Sequence, residues 1–391
     1  MKRRLLKNTL LLLFCVFVAA LGIFFYLSYK IKSEAPYPIV SEEKMKEKLS
    51  NSVLGQLVDD VVKKKNIYGA VFCVSGGSSN FDIISASGEI KEDSQYYIAS
   101  INKFFISAII LKLYAENKLD LEDKISQYLP SDLIQGLHVY NGKDYSNAIT
   151  IAHLMSLTSG LPCYLADKQS DGKTAMKELE SGIDQAWPID KVIKEVKKMK
   201  PHFPPGEEGK AKYADTNHHI LSLVIEKVTG NQVNIALKNL FRELNLTKTY
   251  VCEDPDDKNF VPIRYKSKTV QLPLFLTSTQ YDIISTAKDQ MAFLKAFFNG
   301  YFFPMERLNE LEKWNSIFFP LKYGVGIQKF KIPRIFSPFQ SVPEMIGHCG
   351  STGSVAFYVP EMDIYITGTT NQQANPNIAF QTMIKIINKL N

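Results

Sequence analysis

The pattern of apolar and polar positions opens with one long apolar run. From Asn8 to Tyr29, 22 residues carry no charge. At ~1.5 Å rise per residue they make a helix of roughly 33 Å, enough to cross a hydrocarbon layer of ~30 Å. Lys2, Arg3, Arg4 and Lys7 precede the run, and a basic flank stays in the cytoplasm. Residues 1–29 are therefore predicted to be a cytoplasmic tip and transmembrane anchor, with the rest of the chain on the extracytoplasmic side of the cell membrane. Ala20-Leu21-Gly22 resembles a secretory cleavage site. The apolar run nevertheless continues through Ile23 to Leu27, which a processed terminus would expose to water, so the uncleaved anchor is preferred. Either reading exports the body. Cys15 follows the bulky Phe14 and reads as a small hydrophobe rather than a lipidation site.

Residues 30–44 read as a charged tether containing Pro36 and Pro38, and residues 45–391 as the folded body. Ser41 opens a helical pattern whose stripe is Leu54, Val58, Val61 and Val62. Ala70–Ser75 and Phe81–Ser87 read as two short strands joined by a Gly76-Gly77-Ser78 turn, a hairpin. Ile101–Tyr114 is a strongly apolar helix, and short helices and loops fit Leu119–Pro130 and Thr150–Ser159. Ala175–Lys200 is a polar, lysine-rich helical stretch. Another helix runs from Thr216 to Val228 and stops at Gly230. Strand patterns return at Tyr323–Ile332, Met345–His348, Val355–Val359 and Ile364–Thr369, and Asn375-Pro376 starts a closing helix. Strands at both ends with helices between predict an α/β (α+β) architecture. One antiparallel sheet is built from the two termini and flanked by helices, with an all-helical lobe at about residues 115–270 inserted in it.

Composition narrows the picture. The chain is 45% hydrophobic and 22% charged with five cysteines, which excludes a disordered or disulfide-stapled chain. The net charge of +6 is an effect of the N-terminus: residues 1–34 hold six bases and one acid, and the remainder has 40 bases against 39 acids. A near-neutral body implies no nucleic-acid partner. Cys73, Cys163, Cys252 and Cys349 have no C-x-x-C spacing, so no structural zinc is expected.

Several signatures are absent: H-E-x-x-H, the P-loop and G-x-S-x-G. Gly324-Val325-Gly326 lacks a third glycine and is not a dinucleotide loop. His218 and His219 lie about 100° apart on a helix and cannot share one metal; they are expected at the surface or an edge. What remains is Ser-x-x-Lys, which occurs at Ser41/Lys44, Ser100/Lys103, Ser170/Lys173 and Ser285/Lys288. Only Ser100 follows an extended stretch, Tyr96-Tyr97-Ile98-Ala99, and opens an apolar helix. There the Lys103 amine reaches the Ser100 hydroxyl. An amine held among Phe104 and Phe105 would lose hydration and act as an uncharged base, and a serine needs such a base to become a nucleophile. The local residues equally allow Ser100 as a helix N-cap and Lys103 as a snorkelling side chain.

Three clusters in order, Ser100-Ile101-Asn102-Lys103, Tyr213-Ala214-Asp215 and His348-Cys349-Gly350, resemble the S-x-x-K, Y-x-N and K-T-G or H-x-G motifs of the serine β-lactamase and penicillin-binding-protein-like hydrolases. Leu119–Asp123, His153–Pro162, Pro205-Gly206, Ile225–Gly230 and Gly347–Gly350 are similar to phrases of the branch holding class C β-lactamases, DD-peptidases and esterases. The resemblance covers about residues 45–390. It implies a β-lactamase/DD-peptidase-like fold, an acyl-enzyme at Ser100, Lys103 as its base and Tyr213 assisting proton transfer to the leaving group. It further implies a cleft edged by the His348 strand and an oxyanion hole from the N–H groups of Ser100 and Ser351, next to Gly350, with no cofactor or metal. Asp215 stands at a substrate-binding position where Asn is usual; Asn offers an N–H to a substrate carbonyl, whereas an ionised Asp can only accept, and Asp215 has a simpler alternative as the N-cap of the helix from Thr216. His348 replaces the commoner Lys, making a substrate-binding cation pH-dependent. Cys349 is expected only to pack. The expected substrates are small acyl compounds or cell-envelope peptides, D-alanyl peptides and esters among them. The altered second and third motifs leave a weakly active or inactive binding or sensor protein as the alternative.

Overall fold

In the computed structural model, which describes residues 17–24, 39–77, 82–169, 171–333 and 342–390, the strand segments from the two ends of the chain pair with one another. The strands are β1 (Gly69–Gly76), β2 (Asp82–Gly88), β3 (Asn315–Phe318), β4 (Leu321–Tyr323), β5 (Gln328–Phe330), β6 (Met345–Cys349), β7 (Ser354–Val359) and β8 (Ile364–Thr369). They form one sheet in the order β3-β4-β5-β6-β7-β8-β1-β2, every pair antiparallel. The N-terminal hairpin joins the C-terminal meander through β1 and β8, with Cys73 opposite Thr367. This is the antiparallel sheet expected from the termini. Residues 78–81 of the expected hairpin turn lie outside the described residues.

Successive strand side chains point to opposite faces, and each face finds its own cover. The helices used below are α1 (Glu42–Lys48), α2 (Asn51–Val62), α3 (Asn102–Ala115), α4 (Thr216–Thr229), α5 (Ala287–Phe298) and α6 (Asn377–Leu390). On the outer face Phe72, Val74, Phe357 and Ile366 pack with Leu54 and Val58 of α2 and Met383 and Ile386 of α6. On the inner face Val71, Cys73, Ile346, Ala356 and Tyr365 join the larger core that contains α3, α4 and α5, and α5 runs along β8, β1 and β7. Burying each such large apolar side chain contributes roughly 1.5–3 kcal/mol.

Several expectations change in detail. The helix opened by Ser41 is two helices, because Ser50 accepts from the Val53 N–H and caps a second one. The stretch 175–200 divides into Ala175–Ser181 and Ile189–Val196. Its first part ends at Gly182 with φ 91°, the left-handed C-terminal geometry that glycine adopts without strain. The single strand expected over Tyr323–Ile332 is the β4–β5 hairpin. At its turn Gly326 has φ 78°, and a Cβ there would stand 2.7 Å from the Ser107 Cβ. The inserted lobe is not all helical: it holds the two-stranded ladders Val139–Tyr140 with Lys143–Asp144 and Ile263–Tyr265 with Lys268–Val270. Helix α5, capped by Thr286, has no sequence expectation behind it.

Most of the predicted anchor, and residues 30–38 of the tether, lie outside the described residues. Residues 17–24 are helical, with Phe17, Ile23 and Phe24 exposed. Among the described residues no helix is long and apolar enough to cross a membrane.

Candidate active site

Ser100 sits on a short turn held from two sides. The extended pair Tyr96–Tyr97 is hydrogen-bonded to Ile283–Ser285, and the Ile98 N–H donates to the Ile283 carbonyl at 3.2 Å. The chain then reverses at Ala99, whose φ of 50° is uncommon for a residue with a Cβ. A 3-10 turn over Ala99–Ile101 carries Ser100 into α3. The β6–β7 turn grips the same place. Thr352 Oγ1 donates to the Tyr97 carbonyl at 3.0 Å and Ser354 Oγ to that of Ile98 at 2.7 Å. A Cβ on Gly350 would stand 2.3 Å from that Ile98 oxygen, so this close approach requires glycine. Neither cap position of the turn and helix is Ser100, and neither has a side-chain cap bond. The N-cap alternative for Ser100 is thereby removed.

One helical turn on, Lys103 is 3% exposed and its Nζ lies 3.1 Å from Ser100 Oγ. The expected shielding by phenylalanines is corrected. Phe104 and Phe105 turn into the core, against Phe297 at 4.5 Å and Phe293 at 3.7 Å between ring centroids. What meets the Lys103 amine is Asp215, with Oδ1 2.6 Å away. Asp215 occupies the N-cap position of α4, as the alternative reading had it, but its side chain makes no cap bond and turns to Lys103 instead. Burial pushes the Asp215 carboxyl up, but the Lys103 charge and hydrogen bond outweigh it and hold the carboxyl below its ordinary value. The Cys163 thiol donates to Asp215 Oδ2 at 3.3 Å.

The segment bearing Tyr213 and Asp215 is fixed by the loop that follows Met155. Thr216 Oγ1 donates to the Pro162 carbonyl at 2.6 Å, and Ser159 Oγ to Asn217 Oδ1 at 2.6 Å. The Tyr213 ring centroid lies 5.7 Å from Lys103 Nζ. Burial first, and Asp215 second, keep its phenol well above the ordinary value, against a side-chain hydrogen bond with Ser100. Tyr213 is thus a neutral hydroxyl that can give or relay a proton.

His348 does not take the expected role of a substrate-binding cation. It is fully buried between the rings of Phe104 and Tyr323. Its Nδ1 pairs with the Cys349 carbonyl at 2.9 Å and its Nε2 with the Tyr323 hydroxyl at 3.3 Å. Burial, aided by Lys103, pushes it down to about 3, so it is neutral in ordinary buffers. Cys349 donates its backbone N–H and its thiol to Gln328 Oε1. His218 and His219, expected near the surface, are both buried, because the first half of α4, Thr216 to Ser222, is buried at every position; His219 bonds the Tyr164 hydroxyl at 2.9 Å.

A cleft of about 180 Å³ is lined by Ser100, Lys103, Tyr213, Asp215 and Ser351. Leu165, Met176, Leu179, Ile263, Leu272 and Phe275 supply its apolar lining. The backbone N–H groups of Ser100 and Ser351 have no acceptor among the described residues. Of the residues singled out in the sequence, Gly350 shapes the turn and His348 supports from behind; the other five line the cleft. Asp282, Tyr97 and Asn102 also line it. Asp282 stands in no motif, and only its contacts reveal it. Among the described residues no group of His, Cys, Asp and Glu could hold a metal ion.

The chain belongs to the Beta-lactamase family: the family model of that description matches residues 54–383. Protein flp of Staphylococcus aureus (strain COL) is 30% identical over 176 residues, 45% of this chain. The match spans 30% of that relative's length. An N-acetylmuramyl-L-alanine amidase of Bacillus subtilis (strain 168) is 23% identical over 368 residues, covering 84% of this chain and 78% of the relative. Among solved structures, a D-stereospecific amidohydrolase from Streptomyces sp. has a TM-score of 0.68 at 23% identity, covering 85% of this chain and 98% of the other. That likeness shows the shared α/β fold with its antiparallel sheet.

Proposed function

We propose that this member of the Beta-lactamase family is a serine hydrolase that cleaves small amides or esters through an acyl-enzyme at Ser100. The observation that carries the reading is the line of contacts Ser100 Oγ, Lys103 Nζ, Asp215 Oδ1, at 3.1 and 2.6 Å. As Ser100 Oγ bonds to the substrate carbonyl carbon, its proton passes to Lys103, and Lys103 hands one of its own to Asp215. The carbonyl π electrons move onto oxygen, where the Ser100 and Ser351 N–H groups receive the negative charge. Collapse breaks the bond to the leaving group. The Tyr213 hydroxyl protonates the departing nitrogen or oxygen and is itself reprotonated through Lys103. Water then attacks the ester in the reverse order. Asp215, where related enzymes carry Asn, serves here as the acceptor at the end of the relay.

The substrate class we favour is D-aminoacyl amides and esters or small peptides of the cell envelope. The apolar lining of the cleft suits a small apolar side chain, and similarity to an N-acetylmuramyl-L-alanine amidase and a D-stereospecific amidohydrolase supports the same direction. Residues 1–29 would tether the enzyme at the outer side of the cell membrane, beside such substrates.

A fluorophosphonate probe and p-nitrophenyl acetate test the core of this reading. The wild type should label and turn over, and Ser100→Ala should lose labelling and at least ~10³-fold in turnover. Equal labelling of both, or no turnover across an acyl panel, would point to a binding or sensor protein instead.

A further inference from the structure

Asp282 is 2% exposed and belongs to none of the three motifs. Its Oδ1 accepts two hydrogen bonds, from the Tyr97 hydroxyl at 2.7 Å and from Asn102 Nδ2 at 2.9 Å. Its Oδ2 accepts from Thr279 Oγ1 at 2.7 Å. The two donors on Oδ1 come from opposite sides of Ser100: Tyr97 ends the extended approach and Asn102 begins α3. One oxygen atom therefore ties together both flanks of the nucleophile turn. Asn102 Oδ1 is buried without a partner among the described residues, so the bond to Asp282 sets the orientation of that amide. The acid is itself anchored, its carbonyl accepting from the Cys252 N–H at 2.8 Å and the next carbonyl, of Ile283, from the Ile98 N–H.

The turn needs such a clamp. Ala99 holds a left-handed φ of 50°, a geometry that costs on the order of 1 kcal/mol or more and persists only where its surroundings over-determine it. Taking Ser100 as the nucleophile, as the preceding reading does, we propose that Asp282 is a positioning residue that locks the Tyr97–Asn102 turn and aims Ser100 Oγ between Lys103 and the substrate carbonyl. Its ionised form accepts at both oxygens. A protonated form gives up one acceptor position and loosens the clamp.

Burial pushes the Asp282 carboxyl up to about 6, with Asp215 adding to the shift and Thr279, Tyr97 and Lys103 opposing it. Tyr97, Tyr164 and Tyr281 are held well above the ordinary phenol value by burial, and Cys252 is pushed up to about 12. Lys103 and Asp215 face it from the relay. The clamp therefore predicts an acid limb of turnover near pH 6 that belongs to Asp282.

The test is p-nitrophenyl acetate hydrolysis and fluorophosphonate labelling rate of the full chain, from about pH 5 to pH 8. Asp282→Ala should lower kcat roughly 100-fold with KM changed less than about threefold. Asp282→Asn can keep one oxygen toward Tyr97 and Asn102 and turn its NH2 to Thr279; it should retain an intermediate kcat and lose the limb near 6. Wild-type kcat in Asp282→Ala, or an unmoved limb in Asp282→Asn, overturns the proposal. Should Asp282→Ala fail to fold, Tyr97→Phe removes one of the two donors alone and must lower kcat by a smaller factor; wild-type kcat there also overturns it. A wild type that neither labels nor turns over removes the nucleophile reading and the clamp together, whereas a labelled wild type with equally fast variants removes only the clamp.

Discussion

The two faces of the central sheet are built from the same strands and do different work. The outer face is an apolar layer: Phe72 of β1, Phe357 of β7 and Ile366 of β8 meet α2 and α6, and their contacts are dispersion and burial. The inner face carries His348 beside Ile346 and packs, through α3, against a site organised by polar pairs, Ser100 with Lys103 and Lys103 with Asp215. On β6 itself Met345 points to the outer layer and Ile346 to the inner. Shape and area specify the first face. The second is specified by pairs of atoms, and a change of one atom there alters chemistry before it alters stability.

The sharpest way to break this comparison is to attack the outer face. Phe357→Ala should cost about 3–5 kcal/mol of stability, read by urea unfolding, while kcat of the molecules that remain folded stays at the wild-type value. A collapse of kcat at full folding would show that the faces are coupled. The converse change is Asp215→Asn, which keeps shape and removes the relay's final acceptor. It should lower kcat roughly 100-fold, about 2.7 kcal/mol in barrier, with the unfolding midpoint nearly unmoved. An active Asp215→Asn would return Asp215 to the substrate-contact role.

The smallest effect lies in pH. His219 and His348 are both pushed down to about 3 by burial, from an ordinary value of 6.5. A histidine depressed on folding binds its proton more readily when unfolded. Its stabilisation is complete above 6.5 and is lost as pH falls from there toward 3. Stability of the wild type should therefore decline through this window, and His348→Gln should flatten the slope by at most ~1.4 kcal/mol per pH unit. An unchanged slope in urea midpoints across the window would show that His348 carries a proton in the fold.

The strands and the major helices were legible because their signal is local: β1, β7 and β8 are short apolar runs rich in β-branched and aromatic residues, and α4 ends at a glycine. Helix α5 was not, because its sequence mixes Lys288, Asp289 and Lys295 with its apolar residues and only packing beneath β8 makes it a core element. The positions of Ser100, Lys103 and Tyr213 were legible from motif order. The environments of Lys103 and His348 were not. The phenylalanines adjacent to Lys103 in sequence face away from it, while its carboxylate partner lies more than a hundred residues further along the chain.

By itself the sequence determined the sheet-forming ends, the apolar helix behind Ser100 and the order of the three clusters, because periodicity and near-neighbour spacing are properties of a few consecutive residues. The protonation environment of the cleft was decided only by tertiary structure. Asp215 on Lys103, Asp282 across the nucleophile turn and His348 sealed behind Phe104 each depend on which distant side chain shares a buried, low-dielectric space. In such a space electrostatic interactions change steeply over an ångström, a distance that chain position does not encode.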